Sequence, residues 1–289
     1  MKIDGKTRTC GLIGNPVEHT LSPLIHNHLA ELTGKNMVYV PFLVEGQSVR
    51  EAVEGAYALH LLGMNVTVPH KSAVIPYLKE MDALAEKIGA VNTLVEADGG
   101  YKGYNTDMPG LLRAMQSEGI GIQDETVLLL GAGGAARAVA FLCVSSGAKR
   151  VYLCNRTFEK AQQVAGEVNA SFATETIIPV TYAELENLTE ERFLAIQATS
   201  VGLYPHVEES PLPDGMIYDR IHTGVDLIYR PAETKFMQLV KAHGGKTMNG
   251  LKMLLYQGII AYELWNDLVV TDVQADVILQ KMKKEMGIE

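Results

Sequence analysis

Positive charge is in short supply. The 289-residue chain has 25 lysines and arginines against 34 aspartates and glutamates, a formal net charge of −9. Such a chain has no general pull on phosphate backbones, so nucleic acid is not expected as a partner. Cysteine is scarcer still. Cys10, Cys143 and Cys154 are too few for a disulfide framework, and no CxxC pair offers half of a structural zinc site, so no metal is expected. No apolar run approaches the roughly 18 residues of a membrane span. The start MKIDGKTRTCGLIG lacks the layout of a signal peptide. These absences point to a protein of a reducing compartment, with the cytoplasm as the expected location and no membrane partner. What is present fits that frame. Hydrophobic residues make up 47% and charged residues 20%, enough apolar surface for a full core. The length suggests about two domains.

Short apolar runs alternate with helical stretches from end to end. Strands are predicted at 9–13, 37–42, 65–68, 91–95 and 101–104, and helices at 23–33 and 48–60. Ser22 is expected to cap the first helix, with Pro23 at its first position. Asp98, Gly99 and Gly100 read as a hairpin turn. A second alternating series follows, with strands at 126–130, 150–154, 177–180, 193–198 and 224–229. Residues 204–215 hold three prolines and read as an irregular surface loop. Helices at 250–265 and 271–286 close the chain. Strand–helix alternation of this kind predicts mostly parallel sheets faced by helices. The expected fold class is α/β: an N-terminal α/β domain over residues 1–107, a Rossmann-type doubly wound domain over 108–248, and a cleft between them. Periodicity leaves the last two helices unassigned.

The stretch LLLGAGGAAR at 128–137 follows a strand and opens a helix. Gly131, Gly133 and Ala136 stand in the three places of a GxGxxA turn. The first glycine permits the tight turn, the second lets a pyrophosphate approach the backbone, and the small third residue lets helix and strand pack closely. The helix start then favours an anion. At the end of the next strand, about 20 residues on, NAD enzymes carry a carboxylate for the ribose 2′-hydroxyl. This chain has Asn155, Arg156 and Thr157 there, with Lys160 one turn later. A guanidinium at that place suits a 2′-phosphate, which predicts NADP over NAD; Glu159 alone argues the other way.

The first domain carries four dense clusters: GNPVEHTLSP at 14–23, NVTVPHK at 65–71, GAVNT at 89–93 and GYNTD at 103–107. Each sits where a strand ends or a turn begins, the place of the ligand crevice in open α/β sheets. Hydroxyls, amides, one lysine and one aspartate suit a small polyhydroxylated carboxylate. Taken in order with GAGGAARA at 131–138, NRTFEKA at 155–161, QATSVG at 197–202, DLIYRPAET at 226–234 and YQG at 256–258, the clusters resemble the shikimate dehydrogenase family along nearly the whole chain.

The resemblance implies reversible, NADP-dependent reduction of 3-dehydroshikimate to shikimate, with the C-terminal helices, 249–289, returning to the first domain. It implies that Thr20 and Ser22 hold the substrate carboxylate. Asn92, Asp107 and Gln257 bind ring hydroxyls, with Thr67 and Tyr229 nearby, and Lys71 with Asp107 forms the catalytic pair. It places Gly131, Ala132, Gly133, Gly134, Ala135, Asn155, Arg156, Thr157, Lys160, Thr199 and Gly250 at the cofactor. The expected partner is a small molecule, and the expected state a monomer or homodimer. Two alternatives stand beside this: a dual quinate/shikimate enzyme, which Asn155–Arg156–Thr157 weighs against, and a non-catalytic sensor, which the presence of both Lys71 and Asp107 weighs against.

Reducing a ketone by hydride leaves an alkoxide unless a proton arrives, and a cation there stabilises the developing charge. Lys71 can do either. The remaining ionisable residues get a blander assignment. His19, His26 and His28 have no evident carboxylate partner, and His70 is expected to be structural or solvent-facing. Four positions depart from the family pattern. Thr20 stands for serine, adding a methyl in a tight site. Gln197 stands for asparagine, lengthening a polar arm expected beside the nicotinamide. Arg230 stands for asparagine, and Met108 for glycine.

Overall fold

The computed structural model describes residues 3–288; residues 1, 2 and 289, the extreme ends of the expected first domain, lie outside the described residues. The chain divides into two compact units. One comprises Met1–Gly110 and Leu254–Glu289, the other Leu111–Met253.

The first unit begins with β1 (Arg8–Gly14), α1 (Ser22–Thr33), β2 (Met37–Leu43), α2 (Val49–Ala58) and β3 (Gly63–Val66). It continues with β4 (Glu80–Met81), α3 (Ala83–Ile88), β5 (Thr93–Ala97), β6 (Gly100–Tyr104) and the start of α4 (Asp107–Ser117). Its sheet runs β2-β1-β3-β5-β6-β4. The pairs β1–β2 and β1–β3 are parallel, and β5 runs antiparallel to both β3 and β6. The antiparallel step comes from the expected hairpin, in which Ala97 pairs with Gly100 across Asp98 and Gly99, and Gly99 takes φ +79°. β1 lies between two parallel neighbours, so residues 10–14 are all buried, as a strand covered on both faces requires. On α2, Val49, Val53 and Ala56 form the buried stripe at helical spacing.

The capping residue of α1 differs from the sequence expectation. Leu21 holds the N-cap position without a side-chain cap, and Ser22 lies inside the helix. Locally, the Thr20 hydroxyl accepts the Ser22 N–H at 3.2 Å and so satisfies the first N–H of the helix from outside it.

The second unit takes in most of α4 and then β7 (Thr126–Leu130), α5 (Gly134–Ser145), β8 (Arg150–Cys154), α6 (Phe158–Phe172) and β9 (Ile177–Val180). α7 (Tyr182–Leu185), β10 (Phe193–Gln197), β11 (Ile221–Asp226), α8 (Lys235–Ala242), β12 (Lys246–Met248) and the start of α9 (Leu251–Asn266) follow. α9 continues into the first unit, which α10 (Asp272–Glu285) completes. The second sheet is all parallel, in the order β12-β11-β10-β7-β8-β9. That is the doubly wound order, with the topological switch between β7 and β10. One core cluster packs Leu128, Leu130, Phe193, Ala195 and Tyr218 against Phe236 and Val240 of α8. Residues 204–215 carry no helix or strand, as expected. They are not purely a surface loop, however: Leu212 is fully buried, and the Ser210 hydroxyl meets the Tyr218 hydroxyl at 2.7 Å.

Candidate active site

In the first unit the four sequence clusters meet at the carboxyl ends of β1 and β3 and the neighbouring hairpin. Gly14 ends β1 against Thr67. A Cβ at Gly14 would come 2.3 Å from Thr67 Cγ2, so only glycine allows this approach. Asn15 N–H donates to Val68 O, Val91 N–H to Lys71 O, and Asn92 N–H to Tyr104 O. Backbone bonds thus tie each cluster to the next.

Around this frame the polar side chains converge. Lys71 Nζ lies 2.6 Å from Asp107 Oδ2, both partly exposed. Asn92 Nδ2 donates to the other oxygen, Oδ1, at 2.8 Å. Asp107 opens α4, where a carboxylate favours the helix start, and its own N–H donates to Asn105 Oδ1. Thr20 and Ser22 form a second pair, hydroxyl to hydroxyl at 3.1 Å. Gln257 of α9 donates its amide to Leu254 O in its own helix. Its backbone packs against Gly110, where a Cβ would meet Gln257 N at 2.7 Å.

Sequence reading gave no role to the layer beneath. Asn65 and Thr93 are direct cross-strand partners and both are buried. Tyr39 donates its hydroxyl to Asn65 Oδ1 at 2.7 Å. Burial pushes that phenol well above its usual range. His26 stacks on Tyr39 with centroids 4.3 Å apart. It is fully buried and neither ring nitrogen has a hydrogen-bond partner. Desolvation therefore lowers its pKa to about 3. His70 is buried rather than solvent-facing, and its Nε2 meets Val44 O at 2.7 Å.

In the second unit a cavity of about 540 Å³ opens at the switch point. Its floor is the turn of Gly131, Ala132 and Gly133, and Asn155 and Arg156 form one wall. Thr199 and Ser210 belong to the opposite loops. Gly131 has φ +114°, and a Cβ there would lie 2.9 Å from Ala198 O. Gly133 is the N-cap of α5 with no side-chain cap, and open space surrounds the Cβ positions of Gly133 and Gly134. The first N–H groups of α5 therefore receive no side-chain acceptor from the cap. Among the described residues Arg156 and Lys160 enter no ion pair. Gly134, Ala135, Thr157 and Lys160 flank the cavity in sequence without lining it. Gly250 lies against Leu227, whose O would be 2.1 Å from a Cβ there, and its N–H donates to Ile228 O. Ser200 and Val201 of the QATSVG motif also line the cavity, as do Tyr182, Glu209 and Pro211, which no motif singled out.

Two departures from the family pattern find their places here. Gln197 is fully buried: its amide donates to Val201 O and its carbonyl accepts Thr199 N–H. It is not the free polar arm expected beside a nicotinamide, because the extra methylene lets it brace the turn at 198–201 from within. Arg230 is exposed. Before it, Asp226 is fully buried and receives Ile228 N–H and the Thr234 hydroxyl. Burial outweighs those two donors and lifts its pKa to about 6. Tyr229 lies half-buried in the loop this carboxyl braces.

A parallel sheet in this order, with a glycine turn and a cavity at the switch point, defines a Rossmann-class α/β protein joined to a second α/β unit. Residues 12–94 match the family model for the shikimate dehydrogenase substrate binding domain, and residues 113–209 the model for shikimate / quinate 5-dehydrogenase. The shikimate dehydrogenase (NADP(+)) of Desulforamulus reducens is 42% identical, with 98% of each chain covered. The structure of shikimate 5-dehydrogenase from Thermus thermophilus in complex with NADP(H) and shikimate is similar at TM-score 0.81 and 32% identity, covering 95% of this chain and 99% of that one. Quinate dehydrogenase from Corynebacterium glutamicum in complex with NAD is similar at TM-score 0.87 and 26% identity, covering 96% and 99%. This chain belongs to the shikimate dehydrogenase family.

Proposed function

We propose that this protein is an oxidoreductase that reversibly reduces 3-dehydroshikimate to shikimate with NADPH, a step towards the aromatic amino acids. The observation that carries the reading is the ammonium of Lys71 held 2.6 Å from an Asp107 carboxylate whose other oxygen is already bound by Asn92. A lysine so placed is a fixed source of positive charge and of a proton, which is what a ketone oxygen needs as it becomes an alcohol. Asp107 orients the ammonium, and Asn92 orients Asp107. Thr20 and Ser22 offer adjacent hydroxyls to the substrate carboxylate. Thr67, Asn92, Asp107 and Gln257 offer donors and acceptors to ring hydroxyls, with Tyr229 a further contact.

NADPH, when bound, supplies the hydride. The uncapped start of α5 and the open space at Gly133 and Gly134 fit a pyrophosphate, which Gly131, Ala132 and Ala135 would also border. Arg156, without a carboxylate partner, fits the 2′-phosphate, assisted by Lys160, Asn155 and Thr157. Thr199 lines the same cavity, and Gly250 is assigned to the cofactor by resemblance alone. The ligands are free small molecules, with no nucleic acid or membrane involved, and the protein acts in the cytoplasm as a monomer or homodimer. No helix among the described residues is long and apolar enough to cross a membrane.

Thr20 and the likeness to a quinate dehydrogenase favour one second reading, a dual quinate/shikimate enzyme. Spectrophotometric assay of the purified protein with shikimate and quinate, each with NADP and NAD, separates the two. Shikimate with NADP is expected to give the highest kcat/KM. Comparable quinate turnover would establish the dual enzyme, a clear NAD preference would overturn the cofactor assignment, and silence in all four assays would overturn the enzyme.

A further inference from the structure

Thr93 has no place among the substrate contacts proposed above, yet it lies at the centre of the polar layer beneath them. It is fully buried on β5, opposite Asn65 on β3. Its hydroxyl accepts from Asn65 Nδ2 at 3.1 Å and donates to Asn92 Oδ1 at 3.1 Å. The Thr106 hydroxyl is 3.3 Å away and also reaches Asn92 Oδ1, at 3.1 Å. The Thr106 N–H donates to the same oxygen at 2.8 Å.

An amide oxygen has two lone pairs. The Thr106 N–H takes one and forbids the flipped amide, since a flip would set two donors face to face. The two threonine hydroxyls share the other, and one can donate to its neighbour across 3.3 Å. The N–H thus decides which end of Asn92 points inward. The hydroxyls decide the angle at which the other end, Nδ2, meets Asp107 Oδ1 at 2.8 Å. Asn65, pinned in turn by the Tyr39 hydroxyl, holds Thr93 from behind.

We propose that Thr93 is a positioning residue: its hydroxyl, working with that of Thr106, locks the Asn92 amide and through it holds Asp107 in one orientation against Lys71. A carboxylate anchored at one oxygen can swing about that contact; anchored at both, it cannot. Small misplacements of a reacting group are costly. The inference rests on the proposed reaction, but the locking of Asn92 can be read without turnover.

The test compares Thr93→Val, which keeps the shape and removes the hydroxyl, with Thr93→Ser, which keeps the hydroxyl. Thr93→Val is expected to lower kcat about tenfold, the size of one lost buried hydrogen bond, with the KM for NADPH unchanged. Thr93→Ser should recover most of the loss. In an Asn92→Ala background Thr93→Val should add almost nothing, because the residue acts through Asn92. NMR exchange of the Asn92 side-chain amide protons should quicken in Thr93→Val. If that variant does not fold, Thr106→Val, which removes the partner hydroxyl, should show the same quickening. A wild-type kcat in Thr93→Val, a serine variant as slow as the valine one, or unchanged amide exchange would each overturn the inference. A wild-type protein inactive on shikimate would instead overturn the proposed reaction, and amide exchange would still decide the positioning role.

Discussion

The first unit's candidate site consists of side chains that already bind one another, whereas the second unit's centres on a helix start without a side-chain cap and on Arg156, which among the described residues enters no ion pair. Asp107 has both oxygens engaged, by Lys71 and Asn92, and Asn92 has three donors on its oxygen. Around Gly133 the cap has no side-chain bond and the space above the glycines is open. The difference follows from what each would hold. A reacting ketone needs a charge at one fixed point, which demands preorganised side chains. A pyrophosphate needs several weak donors at once, which a helix start provides. Both solve the problem posed by a net charge of −9: positive potential is supplied locally, never by the surface as a whole.

The most severe way to break the first site is to remove its charge. Lys71→Met keeps the aliphatic stem and deletes the ammonium. The kcat is expected to fall about a thousandfold or more, the combined scale of a lost proton donor and a lost electrostatic contact. The KM for NADPH should stay near the wild-type value, since no second-unit residue is touched. Steady-state kinetics with both substrates varied separates the two constants, and a kcat within tenfold of wild type would remove Lys71 from the chemistry.

The second site breaks differently. Arg156→Ala leaves the glycine turn intact and removes the group assigned to the 2′-phosphate. The KM for NADPH should rise about 10- to 100-fold, the worth of charge-assisted hydrogen bonds to a phosphate. The KM for NADH should hardly move, and kcat should fall little. Equal losses with both cofactors would mean that Arg156 serves the fold, not the choice of nucleotide.

The two sites also differed in how far sequence alone revealed them. The glycine turn was legible because its residues are consecutive and each answers a backbone constraint; Gly131 does take positive φ where a side chain would strike Ala198. Lys71, Asn92 and Asp107 were named from resemblance, but nothing in their spacing told that one asparagine would join both ends of the network. Asn65 and Thr93 stood in the quoted clusters but received no role, because cross-strand register, not sequence distance, makes them neighbours. The cavity wall at 209–211 was hidden for a similar reason. A proline-rich loop reads as surface until Ser210 is seen to bond Tyr218 and Leu212 to sink into the core. Gln197 shows the opposite failure, since a residue singled out for its polarity spends both amide ends bracing its own turn.

The mildest probe touches only the layer under the first site. His26 has no hydrogen-bond partner on either nitrogen, and burial holds its pKa at about 3, so it is neutral in the folded protein at any ordinary pH. In the unfolded chain the imidazole takes up a proton below about pH 6.5. The folded-state pKa is the lower of the two, so the contribution of His26 to stability is full above about pH 6.5 and is lost progressively as pH falls towards 3. His26→Phe retains a ring to stack on Tyr39 and has no proton to gain. Between pH 7 and pH 5.5 the unfolding free energy of the wild type should therefore drop by about 1 kcal/mol more than that of the variant, measured by urea denaturation at the two pH values. The second unit offers a control within the same molecule. Hydrogen bonds to Asp219 and Asp214 raise the pKa of His243, so its linkage has the opposite sign, and its stabilisation is full below about pH 6.5 and lost as pH rises through its elevated pKa. Equal drops in wild type and His26→Phe would mean that the buried imidazole finds a proton or a partner in the folded state, and the layer beneath the Lys71–Asp107 pair would then be less dry than its side chains make it.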